Sequence, residues 1–178
     1  MRVFLAFDLE VALIDFAIAL SDGLAARVRQ ARFQKRETMH VTVRFFGDGV
    51  ELGRVSGLAA RLVEGRARPR VRMTKLDAFP DARRAKVLVL SLEHEATLVE
   101  IAKEAERLAV ERGFEEEKRA YRPHLTLARF REPADVRKLV AETEVAREGN
   151  VLALTLYESK LGPGGPTYAP LERATFER

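Results

Sequence analysis

The chain has 178 residues, 47% of them hydrophobic and 33% charged, and carries a net charge of +4 at pH 7. That length suits one well-packed domain over 1–178 and leaves little room for two independent cores. The absence of cysteine excludes disulfides, thiolate metal sites and a cysteine nucleophile, and no apolar run reaches the roughly 18–20 residues a membrane helix needs.

In chain order, Arg2-Val-Phe-Leu-Ala-Phe-Asp8 meets an acidic residue too early for a secretory leader and predicts a first strand over about 2–9, in a cytoplasmic protein with no membrane association. Val11, Ile14, Ala17 and Ile18 have helical spacing within a segment from about 11 to 30. A strand follows at about 39–46, closed by Gly47-Asp48-Gly49, and then a helix at about 50–64. Strands near 70–78 and 85–92 flank the turn-like Phe79-Pro80-Asp81-Ala82. Leu98, Ile101, Ala105 and Leu108 mark a helix over about 95–113, with Gly113 as its stop. Another strand at about 123–130 leads to a short helix near 133–142. Strands at about 150–159 and 167–176, joined through Gly162–Pro166, close the chain. Roughly seven strands and four helices, not strictly alternating, predict an α+β fold.

Two of the three histidines sit in matching tetrapeptides, His40-Val-Thr-Val43 and His124-Leu-Thr-Leu127. With nine threonines in the chain, a residue two places after a given histidine is threonine about 5% of the time, so the pair is a specific signal. If both tetrapeptides are strands, side chains alternate between faces. His and Thr then share one face, while Val41, Val43, Leu125 and Leu127 enter a core. Each tetrapeptide is followed by a turn and a helix, an internal echo that suggests two lobes facing each other across a cleft. The third histidine, His94, is read as a surface residue beside a helix start, without a role.

An imidazole titrates near pH 6.5, so one histidine can accept a proton while another donates one. Two of them across a phosphorus centre meet the needs of in-line displacement: one activates water and the other protonates the departing ribose oxygen. Hydroxyls from Thr42 and Thr126 can donate to the phosphate oxygens. No His-x-x-x-His spacing suggests a zinc site, so neither metal nor cofactor is expected.

The paired His-x-Thr-x pattern resembles the 2H phosphoesterase superfamily. Within it the sequence is most similar to the bacterial and archaeal RNA 2′,3′-cyclic phosphodiesterases, historically named 2′-5′ RNA ligases. Arg2-Val-Phe-Leu-Ala-Phe-Asp8 resembles that family's first strand. His40-Val-Thr-Val-Arg-Phe-Phe-Gly47 and Arg122-Pro-His-Leu-Thr-Leu-Ala-Arg129 resemble its two motifs, and Ser159-Lys-Leu with Gly165-Pro-Thr-Tyr168 its terminal hairpin. Lys86-Val-Leu-Val-Leu90 departs from the pattern by lacking an aromatic residue.

The resemblance implies a bilobal α+β fold, with two antiparallel-rich sheets facing across a central cleft and helices outside. It also implies hydrolysis of RNA 2′,3′-cyclic phosphate ends to 2′-phosphomonoesters by a monomer. His40 would be the general acid, His124 the general base, and Thr42 and Thr126 the phosphate ligands.

Four further residues are candidates for RNA contact. Arg44, four places after His40, lies on the site face of a regular strand, as does Phe46, whereas Phe45 belongs to the core by parity. Arg129 has the opposite parity from His124, so a bulge or the strand end would have to redirect it; the family often carries arginine there. Tyr168 is suited either to stack on a base or to form a cross-strand pair. Dense arginine agrees with a polyanionic partner and equally with a solvated surface. Other readings are 2′-5′ RNA ligation by the reverse reaction, a phosphodiesterase of small cyclic nucleotides, and a non-catalytic RNA-binding module.

Overall fold

The computed structural model describes residues 1–94, 96–163 and 165–177; the side chain of His94, and with it the surface reading of that residue, lies outside what is described. The elements are β1 (Val3–Leu9), α1 (Val11–Ala25), β2 (Ala31–Phe33), β3 (Val41–Gly47), α2 (Leu58–Val63), β4 (Arg70–Phe79) and β5 (Ala85–His94). They continue with α3 (Ala96–Glu111), β6 (His124–Ala134), α4 (Arg137–Glu142), β7 (Glu144–Gly162) and β8 (Gly165–Thr175).

Every strand pairing is antiparallel, and the strands form two sheets that share β7. One sheet runs β8-β7-β1-β3 and the other β7-β4-β5-β6-β2. Glu144–Asn150 of β7 pairs with β4, while the part from Val151 onward pairs with β1 and β8. This is the α+β, two-sheet architecture expected from the sequence.

At the changeover the chain passes tightly under the start of α1. Asn150 Nδ2 donates to Glu10 Oε2 at 2.9 Å, and the Glu10 amide donates to the Asn150 carbonyl at 3.0 Å. A Cβ on Gly149 would lie 2.7 Å from Leu13 Cγ, so glycine is required by this close approach.

Alternation within β1 divides its side chains between two faces. Val3, Leu5 and Phe7 are fully buried, and Leu5 and Phe7 are among the largest such side chains. They join Leu13, Ile14 and Ala17 of α1 and Leu98, Ile101, Ala105 and Leu108 of α3 in one core. Burying each large apolar side chain contributes about 1.5–3 kcal/mol. Phe4, Ala6 and Asp8 are left on the other face of β1, the face that carries the functional groups.

The structure differs most from the sequence expectation in three elements, while α1 ends at Ala25 instead of 30 and β6 runs on to Ala134, delaying α4 to Arg137. β2 is an additional strand of three residues, too short to show a period. The helix expected over 50–64 is reduced to α2, preceded by a 3-10 turn at Leu52–Arg54, because Gly57 adopts φ of +74° and starts the helix late. β7 begins at Glu144, six residues before the expected start at 150, because the segment that crosses between sheets lacks alternation.

Candidate active site

His40 immediately precedes β3, and its ring is fixed by the backbone behind it. Nδ1 lies 2.9 Å from the Thr38 carbonyl, which can only accept, so Nδ1 carries the proton. Nε2 is then the basic nitrogen and accepts from Thr42 Oγ1 at 3.2 Å. His124 repeats the device: its Nδ1 donates to the Arg122 carbonyl, again two residues upstream, at 2.6 Å. In both imidazoles, therefore, Nδ1 is engaged by the backbone and Nε2 is the nitrogen turned away from it.

Aromatic rings wall in His40. Phe4 lies 4.8 Å from its ring, centroid to centroid, and Tyr168 meets it edge-on at 5.1 Å. Tyr157 stacks on Phe4 at 5.3 Å and lies 6.4 Å from the His40 ring. The register Phe7↔Val41 brings Asp8 beside His40 across the β1–β3 pair. The Asp8 carboxylate accepts from Thr155 Oγ1 at 2.8 Å, Tyr157 OH at 2.8 Å and Arg173 Nε at 3.1 Å, which holds it rigidly.

Burial pushes the His40 imidazole down to about 4, the largest influence on it. The Thr38 carbonyl and Asp8 oppose that shift, whereas the charges of Arg129 and His124 add to it.

The surroundings of His124 are more open. Phe79 meets its ring edge-on at 4.9 Å, and the Arg122 guanidinium lies over the other part of that phenyl ring at 4.6 Å from its centroid. Burial lowers the His124 imidazole as well; the charges of Arg122 and Arg129 act in the same direction, and no carboxylate opposes them.

Strand register explains where the remaining candidates fall. On β5, Ser91, Val89 and Val87 share a face and pair with His124, Thr126 and Arg129 in turn. A bulge at Leu127 makes this possible: Leu127 and Ala128 are both fully buried, and the extra residue returns Arg129 to the histidine face. Arg129 acts electrostatically on both histidines and on Tyr168. Thr126 is half-buried on the same face, and its hydroxyl has no hydrogen-bond partner among the described residues.

A second bulge corrects three expectations, those for Arg44, Phe46 and Phe45. Ala6 pairs with Thr42 but Leu5 pairs with Arg44, so the extra residue at Val43 turns Arg44 away from the cleft and onto the core side with Leu5. There Arg44 Nε pairs with Glu106 of α3 at 2.7 Å, and Nη2 donates to the Glu115 carbonyl. Arg44 is thus a tie between β3 and α3 and does not line the site.

The same shift puts Phe46 in the core, 8% exposed and packed on Phe114 at 5.1 Å. Phe45 is the exposed ring, under the Arg2 guanidinium, with 4.9 Å from Arg2 Cζ to the ring centroid. Tyr168 is placed at His40 as a wall residue.

Sequence reasoning did not single out Phe4, Asp8, Tyr157, Phe79 or Arg122. The alternation of β1, with Phe4 and Asp8 opposite a fully apolar set, was the available signal for the first two.

Comparison with known proteins agrees with this geometry. The family described as the 2′-5′ RNA ligase superfamily matches residues 19–162. The chain is 30% identical over 178 residues to the RNA 2′,3′-cyclic phosphodiesterase of Methanothermobacter thermautotrophicus, covering 96% of each chain. It is 27% identical over 176 residues to the protein of the same name from Methanocaldococcus jannaschii, covering 94% of this chain and 96% of that one. The crystal structure of TT0787 of Thermus thermophilus superposes with a TM-score of 0.82 at 26% identity, over 99% of this chain and 98% of the other.

Proposed function

The chain belongs to the 2′-5′ RNA ligase superfamily, and on that premise we propose that it hydrolyses RNA ends bearing a 2′,3′-cyclic phosphate to 2′-phosphomonoesters, by metal-independent acid–base catalysis. The observation that carries this reading is the pair of imidazoles, each locked by Nδ1 to a carbonyl two residues upstream, so that Nε2 is the nitrogen left for substrate, and close enough for His124 to act electrostatically on His40. The names of the curated relatives support the substrate.

In the proposed cycle the cyclic phosphate sits between the two rings. His124 Nε2 takes a proton from water as the water oxygen attacks phosphorus. The P–O3′ bond breaks, and His40 Nε2–H gives its proton to the departing 3′-oxygen, leaving the phosphate on O2′. Thr42 and Thr126 donate to the non-bridging oxygens, and Arg129, within electrostatic reach of both histidines, balances the charge that develops there.

Before substrate binds, burial keeps both rings neutral at pH 7. A bound phosphate anion raises the proton affinity of both, and Asp8, which acts on His40 alone, directs the proton to the acid. A pure RNA-binding module would need neither the matched tautomers nor a carboxylate beside one of the two rings.

The test is to incubate the purified protein, in EDTA, with an RNA oligonucleotide ending in a 2′,3′-cyclic phosphate and to locate the phosphate in the product. A 2′-monoester is expected; a 3′-monoester, no turnover, or a need for divalent metal would overturn the proposal. The reverse ligation uses the same acid and base with an RNA 5′-hydroxyl replacing water, and adding such an RNA to the assay reads it directly.

A further inference from the structure

Beside the histidine cleft lies a groove that the acid–base scheme leaves unused. It is lined by Arg32, Phe33, Gln34, Lys35, Arg129 and Pro166, and Thr38, whose carbonyl holds His40, borders it. Among these lining residues three are cationic and none is acidic. Elsewhere in the molecule, arginines such as Arg66, Arg72, Arg119 and Arg137 are each paired with carboxylates. Even the neighbouring Arg36 is paired, with Asp15. Lys35 and Arg129 have no carboxylate partner among the described residues.

Two of these cations are neighbours across a strand pair. Arg32 and Arg129 stand directly opposite each other in the β2–β6 pair, and like charges in such cross-strand positions destabilise a sheet. The terminal hairpin reaches across from the other sheet and reinforces the arrangement. At Gly165, whose φ of +103° favours glycine, a Cβ would lie 3.0 Å from Arg32 Cζ, so the hairpin rests closely on that guanidinium. Pro166 then forms the opposite wall. Arg129 belongs to both spaces: it lines the groove and acts on both catalytic rings.

We propose that this groove is a subsite for the internucleotide phosphate and preceding nucleotide of an RNA strand, so that the protein selects strand ends over free nucleoside 2′,3′-cyclic phosphates. The inference rests on the hydrolytic reading above and deepens it. Lys35 and Arg32 meet the upstream phosphate, Gln34 offers an amide to the sugar or base, and the half-buried Phe33 supplies a ring edge or face to the preceding base. A chain of phosphates entering past Lys35 and ending at Arg129 meets positive charge throughout.

The test compares kcat/KM for adenosine 2′,3′-cyclic phosphate, which has no upstream phosphate, with that for the dinucleotide ApA ending in a 2′,3′-cyclic phosphate. Wild-type protein should prefer the dinucleotide by about tenfold or more, and the preference should decline as salt rises, because an additional phosphate contact releases counterions. Lys35→Glu should shrink the preference about tenfold, and Gln34→Ala by a smaller factor. Equal kcat/KM for the two substrates, or a preference untouched by Lys35→Glu in a folded protein, would overturn the proposal.

Should neither substrate turn over, the hydrolytic reading falls, and calorimetric titration with linear ApA 2′-phosphate and adenosine 2′-phosphate decides the groove. Tighter binding of the dinucleotide that is lost in Lys35→Glu supports it, and equal binding of the two defeats it.

Discussion

The two histidine half-sites are built alike in the backbone and differently in everything around it. Each ring donates through Nδ1 to the carbonyl two residues before it, and each is followed two residues later by a threonine on the same face. Around that common frame, His40 is enclosed by Phe4 and Tyr168 and has the rigid carboxylate of Asp8 as neighbour. His124 has one phenyl edge and the cations Arg122 and Arg129. The lesson is that a repeated motif fixes which nitrogen faces the substrate, while the unrepeated surroundings decide which ring keeps a proton.

The largest expected effects come from removing the rings. His40→Ala and His124→Ala should each lower kcat by about 10²–10⁴-fold. The pH profile of kcat separates their roles: loss of the base His124 should abolish the acidic limb, and loss of the acid His40 the alkaline limb. An exchanged pattern would reverse the assignment and break the comparison as drawn.

Stability should distinguish the halves next. With its ring held at about 4 in the fold against 6.5 when unfolded, His40 takes up its proton more readily in the unfolded chain. Stability is therefore unaffected above pH 6.5 and falls as the pH drops from 6.5 towards 4, by about 3 kcal/mol in all. Chemical denaturation of His40→Asn across that window should show a flatter loss than wild type, and His124→Asn a smaller change. An unchanged slope in His40→Asn would mean the ring is not the group that titrates.

Arg129 serves both halves, so Arg129→Ala should reduce kcat/KM by about 10–100-fold without moving either limb of the kcat profile selectively, and Arg129→Lys should restore only part of it. The smallest and most selective effect is expected from Asp8→Asn. It should shift only the alkaline limb, to lower pH, because Asp8 raises the affinity of His40 for its proton and does not act on His124. Movement of the acidic limb instead would assign the carboxylate to the wrong half.

The comparison also shows how far sequence carries. The paired tetrapeptides gave both rings, both threonines and the burial of Val41, Val43, Leu125 and Leu127, because period-2 alternation holds within four residues. It fails where a bulge inserts a residue, and one bulge sits at the last residue of each motif. At Leu127 the insertion brings Arg129 to the site; at Val43 it takes Arg44 and Phe46 away from it. Bulges leave no signature in hydrophobicity, so the residues beyond them were legible only by resemblance, and for Arg44 and Phe46 the parity argument gave the wrong face. Asp8 and Tyr157 lie in ordinary-looking strand sequence, and their roles come from register between distant strands.

β7 has a consequence of another kind. Among the described strands it alone is hydrogen-bonded in both sheets, to β4 before Val151 and to β1 and β8 after it. The gap between the imidazoles is thereby gauged along a single covalent rod, with no flexible linker to take up slack. A strand advances about 3.3 Å per residue and reverses its faces at each step. One residue inserted at Asn150 would turn one sheet's inventory inside out relative to the other, whereas two would keep every face and slide the half-sites out of line by roughly 6.6 Å. Chain length in this one strand is thus a dimension of the catalyst, held to a tolerance that no surface loop of the molecule shares.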